Sequence, residues 1–335
     1  MSSGNSLCPT KSPTTIQSYF KRAENLKKAA QKELGLNPSV KPNPRQMVGW
    51  LLGNQKKYSS ATWRQYKSAV LCAYENELDL LDERINPMPW IEAIELLKST
   101  DNHNQPIAKS TSAKKLKKIN PKDLDKLLSV LEHSKTQVSQ SLILWIKCGL
   151  WTGLRPGEWE TTEIVKVGES EALLVHNAKN TNGRSHGITR TVILNKCSEE
   201  EIAIIKTHVN QVKKWHSAGV YRNMYHACIS KLYETTRKIW PNRERHITLY
   251  STRHQFVANA KAANLSLAQV AALMGHAVDD TATTHYGRRA AGQEELKVSP
   301  LPSEVLKIKK VFKGFHQSAK PQPEKLTQDP APQIL

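Results

Sequence analysis

Four short stretches hold the residue types from which a reaction could be built. LMGHAVDDTATTHYGR, Leu273 to Arg288, carries His276 and, ten residues on, Tyr286 flanked by His285, Gly287 and Arg288. TGLRPGEWE places Arg155 between Gly153 and the Pro156-Gly157 pair, at a break in the backbone rather than on a smooth helix face, with Glu158 three residues on. AKNTNGR places Lys179 where a strand enters a hairpin, and TLYSTRHQF places Arg253 and His254 at the opening of a helix. Taken singly, an arginine or lysine is usually a solvated charge, and a lone histidine or tyrosine is usually structural. Taken together, the types suit attack on a phosphodiester. Two guanidinium forks stay charged at any working pH and match the non-bridging oxygens on which charge gathers. A lysine near a desolvated phosphate has its pKa lowered and can protonate a leaving oxygen. His276 can donate to the same oxygens, and a tyrosine can form a covalent intermediate that conserves the bond energy.

The elements that must position these groups follow from periodicity. Helical spacing runs from Pro13 to about Leu34, through NPRQMVGWLLGNQ with Asn43 as cap and Pro44 in the first turn, through SSATWRQYKSAVLCAYENEL with Ser60 as candidate cap, and through MPWIEAIELLKS. Residues 13–100 therefore read as a small all-helical domain after a Ser/Thr/Pro-rich stretch, 1–12, expected to be disordered. Residues 101–119 have few apolar side chains and carry Lys109, Lys114, Lys115, Lys117 and Lys118. That composition is a linker, and one able to lie along a phosphate backbone. A second domain, 120–295, opens at Asn120-Pro121 with a leucine-striped helix, followed by an apolar helix near 138–151. The period then changes in TTEIVKV, EALLVHNAK and HGITRTVIL, with Asn182-Gly183 as a hairpin turn. Helical patterns return at 198–217, 220–239, 251–263 and 266–274. Residues 296–335 read as a Pro-rich tail with one possible short amphipathic helix in SEVLKIKKVFKGF.

Composition narrows the partners. The 335 residues carry 49 Lys+Arg against 30 Asp+Glu, a formal charge of +19, which points to a polyanion. No apolar run reaches the ~18 residues of a membrane span. The N-terminus shows no charged-then-apolar design, so no signal peptide is expected. Five scattered cysteines form no CxxC, so they read as reduced thiols in a cytoplasm, with neither a disulfide framework nor a zinc site. There is no Walker A run, no GxGxxG and no acidic cluster fit for two metals, and no cofactor or metal is required by the scheme. The other histidines (His208, His216, His226, His246) read as surface or satisfied core residues, and Trp151, Trp159, Trp215 and Trp240 as core.

The chain order resembles the tyrosine recombinases, the phage-type integrases. Arg155 with Glu158 is similar to that family's first arginine and its acidic residue three positions on. Lys179 is similar to its β-hairpin lysine, Arg253-His254 to its second arginine within H-x-x-R-H, the His276 of MGH to its L-G-H histidine, and Tyr286 to its nucleophile. The resemblance covers about residues 120–290, and residues 59–78, SSATWRQYKSAVLCAYENEL, also resemble the family's core-binding domain. It implies a mainly α fold: a helical SAM-like core-binding domain and a mixed α/β catalytic domain with a small antiparallel sheet. It implies double-stranded DNA as substrate, a 3′-phosphotyrosyl intermediate with a free 5′ hydroxyl, a homo-tetramer on two synapsed sites, and a soluble protein of the cytoplasm, nucleoid-associated in a bacterium, carried by a mobile genetic element. One position departs: Tyr250 stands where the family has a histidine, three residues before Arg253. A phenol with pKa near 10 is a poor base at neutral pH. It can still donate to a phosphate oxygen, which leaves the proton acceptor to another group, with His254 a candidate. Telomere resolvases resemble this variant. The alternatives are a DNA-binding protein on the same fold without chemistry, or a type IB topoisomerase-like strand transferase.

Overall fold

The computed structural model describes residues 13–100, 115–178, 185–279, 289–292 and 295–310. Lys114, Lys179, Asn182-Gly183, His285, Tyr286 and Arg288 lie outside the described residues. Four helices come first: α1 (Pro13–Glu33), α2 (Pro44–Gly53), α3 (Ser60–Asp79) and α4 (Met88–Ser99). Their starts follow local chemistry. Asn43 accepts from Gln46 N while the Gln46 side chain accepts from Asn43 N, a reciprocal capping box ahead of Pro44. The cap of α3 is Ser59, not Ser60, because Ser59 is the last extended residue and its Oγ accepts from Thr62 N. These helices bury Met47, Leu51, Trp63, Val70, Tyr74 and Leu97 in one cluster that draws only on residues 26–97. Lys27 is buried among them and is charge-paired with Glu77 of α3, with the Tyr74 ring 5.5 Å below its ammonium.

A second cluster draws only on residues from Ile119 to Val298. It is built by α5 (Pro121–His133), α6 (Gln137–Thr152), a 3-10 turn (Pro156–Thr161), β1 (Glu163–Val167), β2 (Ser170–His176), β3 (Thr189–Ile193), α7 (Glu199–Ser217), α8 (Tyr221–Ile239), α9 (Leu249–Ala262) and α10 (Leu267–Met274). Asn120 caps α5 as its sequence suggested, accepting from Lys122 N at 3.0 Å. The sheet is antiparallel in the order β1-β2-β3-β4, and β4 (Ser299–Pro300) was not anticipated from sequence. Two residues are too short to show an alternation, and Pro300 argues against a strand except at an edge, which is where it sits.

Both flanks of the second domain differ from their sequence reading. Lys115, placed in the linker, pairs with His246, and Ile119 is buried in the second cluster. Leu296 and Val298, placed in the tail, belong to the same cluster, followed by a single helical turn, α11 (Pro302–Val305). The strap 295–310 holds because the two carboxylate oxygens of Glu304 share the Thr191 N–H, at 2.9 and 3.0 Å, and Ile308 packs on Ala271 and Ala272. Among the described residues no helix is long and apolar enough to cross a membrane.

Two close approaches set the site. A Cβ on Gly149 would stand 2.5 Å from Thr252 Oγ1, and one on Gly153 would stand 2.2 Å from the Phe256 ring. Gly149 of α6 and Gly153 at its C-terminal cap, four apart, thus meet side chains four apart on α9, so the two helices touch along one seam. Gly153 also takes the left-handed conformation, φ 68°, that ends α6. Two residues later comes Arg155, which is thereby delivered beside Arg253 of α9.

Candidate active site

Strand register creates the first demand. Leu173 pairs with Val192 and Val175 with Arg190, so Arg190 shares the core-facing side of the sheet with three apolar residues. A fully buried guanidinium needs partners on every side. Arg190 Nη2 donates to Glu158 Oε2 at 2.6 Å, Nη1 donates to Glu158 Oε1 at 3.2 Å and to Asn177 Oδ1 at 2.5 Å, and Nε donates to the Leu273 carbonyl at 2.8 Å. Glu158, itself 1% exposed, is the hub. It also accepts from Arg155 Nη1 at 2.5 Å and Arg155 N at 2.8 Å, and Arg253 Nη1 lies 3.7 Å away.

Arg253 is buried and donates to the Gly153 carbonyl and the Met274 carbonyl, each at 2.7 Å. Leu273 and Met274 are the last residues of α10, whose final carbonyls have no partner within the helix. Arg190 and Arg253 take those carbonyls, and the negative end of the helix dipole favours both cations. The helix then stops at Gly275, φ 66°, where a Cβ would fall 2.2 Å from Asn177 Oδ1 and 2.9 Å from Arg190 Nη1. His276 follows at once and is 4% exposed.

Among the described residues, three guanidinium groups against one carboxylate leave two positive charges in one buried cluster. Burial alone would push the Glu158 carboxyl up. The charges of Arg190, Arg253 and Arg155, and the hydrogen bonds from Arg190, outweigh that and hold it well below the ordinary carboxylate range. His276 is driven the other way, down to about 2, by burial first and then by Arg253, Arg155 and Arg190. Its imidazole is therefore neutral at neutral pH, a donor that adds no charge. The arrangement suits a tetrahedral anion: fixed guanidinium forks, a neutral N–H, and little reorganisation on binding.

Of the residues singled out from sequence, Arg155, Glu158, Arg253 and His276 come together. His254 lies alongside, its pKa pushed down to about 4 by burial and by Lys117, Arg253 and Lys115. Lys117 and Lys118 are exposed. Tyr250 is 38% exposed, one turn before Arg253, with the Lys115 ammonium 5.0 Å over its ring. Sequence reasoning missed Arg190 and Asn177. The available signal was phase: in TRTVIL, Arg190 shares its alternation with Val192 and Leu194, an inward position where a charge must be paired. His208 was read as satisfied or exposed. It is fully buried, edge-on to Trp145 and Trp159 at 5.3 and 4.7 Å, and neither ring nitrogen has a hydrogen-bond partner among the described residues.

No protein-family model matches the chain, and no curated protein is similar to it in sequence. Among solved structures it is similar to the Tn1549 transposon integrase in complex with a circular intermediate DNA, at 16% identity and TM-score 0.41, covering 82% of this chain and 95% of that one. It is similar to the XerH site-specific recombinase bound to a palindromic difH substrate, at 13% and 0.42, covering 84% and 74%. It is also similar to a lambda integrase dimer bound to a COC′ core site, at 14% and 0.48, covering 85% and 75%. Likenesses this distant describe an outline only, and the functional reading rests on the residues above.

Proposed function

We propose that the chain is a site-specific DNA recombinase of the tyrosine type, which cuts and rejoins duplex DNA through a covalent protein–DNA link. The observation that supports this most is the convergence of Arg155, Arg190 and Arg253 on the single carboxylate of Glu158, beside a neutral His276. It gathers three guanidinium groups on one buried carboxylate, on a chain of formal charge +19. Such a site stabilises the charge that develops on a phosphodiester under attack, and loss of one donor there costs about 10²–10³ in rate.

In this reading the Tyr286 oxygen attacks phosphorus, the bond from phosphorus to the 5′ oxygen breaks, and Lys179 supplies the proton that oxygen needs. The tyrosine proton passes to a neighbouring acceptor, for which His254 is the candidate. Arg155, Arg253 and His276 hold the non-bridging oxygens, and Tyr250 donates to one of them. Arg190 and Glu158 hold the two substrate-facing arginines in place. Rejoining is the reverse step with a new 5′ hydroxyl, so no energy source is consumed. Residues 13–100 and the lysines Lys114, Lys115, Lys117 and Lys118 grip the duplex, and a homo-tetramer brings two sites together.

The test is a trapping experiment on nicked duplexes that carry the sequences flanking the gene. The wild-type chain is expected to form a covalent adduct on a 3′ phosphate, and Tyr286→Phe to form none while binding DNA nearly as well. An adduct formed by Tyr286→Phe would remove Tyr286 as nucleophile. DNA binding with no adduct from the wild-type chain would point instead to a non-catalytic DNA-binding protein on this fold.

A further inference from the structure

A groove of about 360 Å³ runs between α8 and the start of α9, and of its lining the chemistry above uses only Tyr250 and Lys115, at one edge. Its floor is apolar: Leu232 and Leu249 are buried there. Its rims are aromatic and exposed, with Tyr233 at 56% and Tyr250 at 38%. Each ring already faces a cation. Arg237 stands 3.3 Å over the Tyr233 ring, held by its own Nη1 donating to the Tyr233 carbonyl at 3.2 Å, and Lys115 stands 5.0 Å over Tyr250.

We propose that this groove binds one unpaired DNA base, taken out of the stack beside the arginine cluster. The chemistry of the lining selects that ligand. Flat aromatic faces at an apolar slot stack any nucleobase, whichever its sequence. The two cations at the rims meet the flanking phosphates, which matches the charge of the strand. The volume lies at the lower end of ligand pockets, which suits a single base and not a base pair. A base within a duplex has both faces covered, so only an extruded or unpaired one can enter. Position supports the same ligand. Tyr250 precedes Arg253 by one helical turn, and Lys115 acts on both the Tyr250 ring and His254. A strand with its phosphate at the arginines therefore passes the mouth of the groove. The inference rests on the DNA reading above and adds to it that the enzyme distinguishes paired from unpaired DNA at this point.

The experiment compares the full chain binding a fully paired duplex and the same duplex with one 2-aminopurine bulged from one strand. The expected result is about tenfold tighter binding to the bulged duplex, the size of one base–aromatic stack, with quenched 2-aminopurine emission. Tyr233→Ala should remove the preference and the quenching while leaving paired-duplex affinity unchanged. Ile229→Trp, at a groove position 37% exposed, should do the same by filling the slot. Equal affinity for the two duplexes with unchanged emission overturns the groove proposal and leaves DNA binding intact. A preference that survives both Tyr233→Ala and Ile229→Trp places the base elsewhere and also overturns it, as would the slot being held by another segment of this chain. Binding to neither duplex overturns the DNA reading itself.

Discussion

Glu158→Gln tests the arginine cluster most directly. The substitution keeps the shape and removes the carboxylate that three buried guanidinium groups share. In the wild-type chain that carboxylate takes Arg190 in a two-oxygen fork, at 2.6 and 3.2 Å, and takes the backbone and side chain of Arg155 as well. Removing one partner of a buried ion pair costs about 3–5 kcal/mol, because the remaining charges stay buried and uncompensated. That is about a fifth or more of the ~5–15 kcal/mol by which a domain is stable. The assay is urea unfolding of both chains at pH 7, in chloride and in sulfate at equal ionic strength. Sulfate should narrow the deficit of the variant by at least about 1 kcal/mol, since the variant has lost the carboxylate that competes for the guanidinium groups, binds the anion more tightly than the wild-type chain, and gains more stability by mass action. The pH dependence has a fixed sign. The folded Glu158 carboxyl is held below its unfolded value, so its contribution is complete above that value, near 4.3, and is lost as pH falls further. The deficit should therefore be flat from pH 5 to 8 and shrink only in stronger acid. A deficit under about 1 kcal/mol, or one of equal size in the two salts, would refute the view of this cluster as a charged anion site.

Three further outcomes are expected. His208, pushed down to about 3 by burial, resists protonation in the folded chain, so its stability contribution is full above pH 6.5 and is lost at about 1.4 kcal/mol per unit below it. His208→Leu should match or exceed the wild-type stability at pH 8 and be about 2 kcal/mol more stable relative to it at pH 5, read from urea midpoints; parallel pH curves would show that the imidazole is not what acid attacks. Neutralising Lys114, Lys115, Lys117 and Lys118 together should flatten log affinity against log salt by about one unit for each phosphate no longer neutralised, and an unchanged slope makes that segment a spacer. Tyr250→Phe keeps the ring under Lys115 but removes the hydroxyl, and should slow cleavage by roughly ten- to a thousandfold, while Tyr250→His should retain activity; a full rate for the Phe variant assigns Tyr250 to packing.

What the sequence determined by itself was whatever depends on a few consecutive residues. Asn43-Pro44 and Asn120-Pro121 start their helices because cap and ring act within one turn. Gly275 ends α10 because only a residue at ease with positive φ closes that turn. The switch to period 2 after Glu163 marks the sheet because strand faces alternate within the strand itself. The order of Arg155, Arg253 and His276 was legible too, each at a break or start that local patterns mark. The rest depended on which elements meet. Arg190 and Glu158 lie 32 residues apart, and their pairing exists only because β2 and β3 adopt the register that turns Arg190 inward. That Gly275 can bear no side chain follows from Asn177, and that Gly153 can bear none follows from Phe256. Residues 115–119 and 296–310 look like linker and tail by composition, yet bury Ile119, Leu296 and Val298, because a few apolar side chains suffice once a core offers them a place. His208 shows the same division: its type is visible in the chain, but its lack of a polar partner among the described residues is decided by the two tryptophans that close around it.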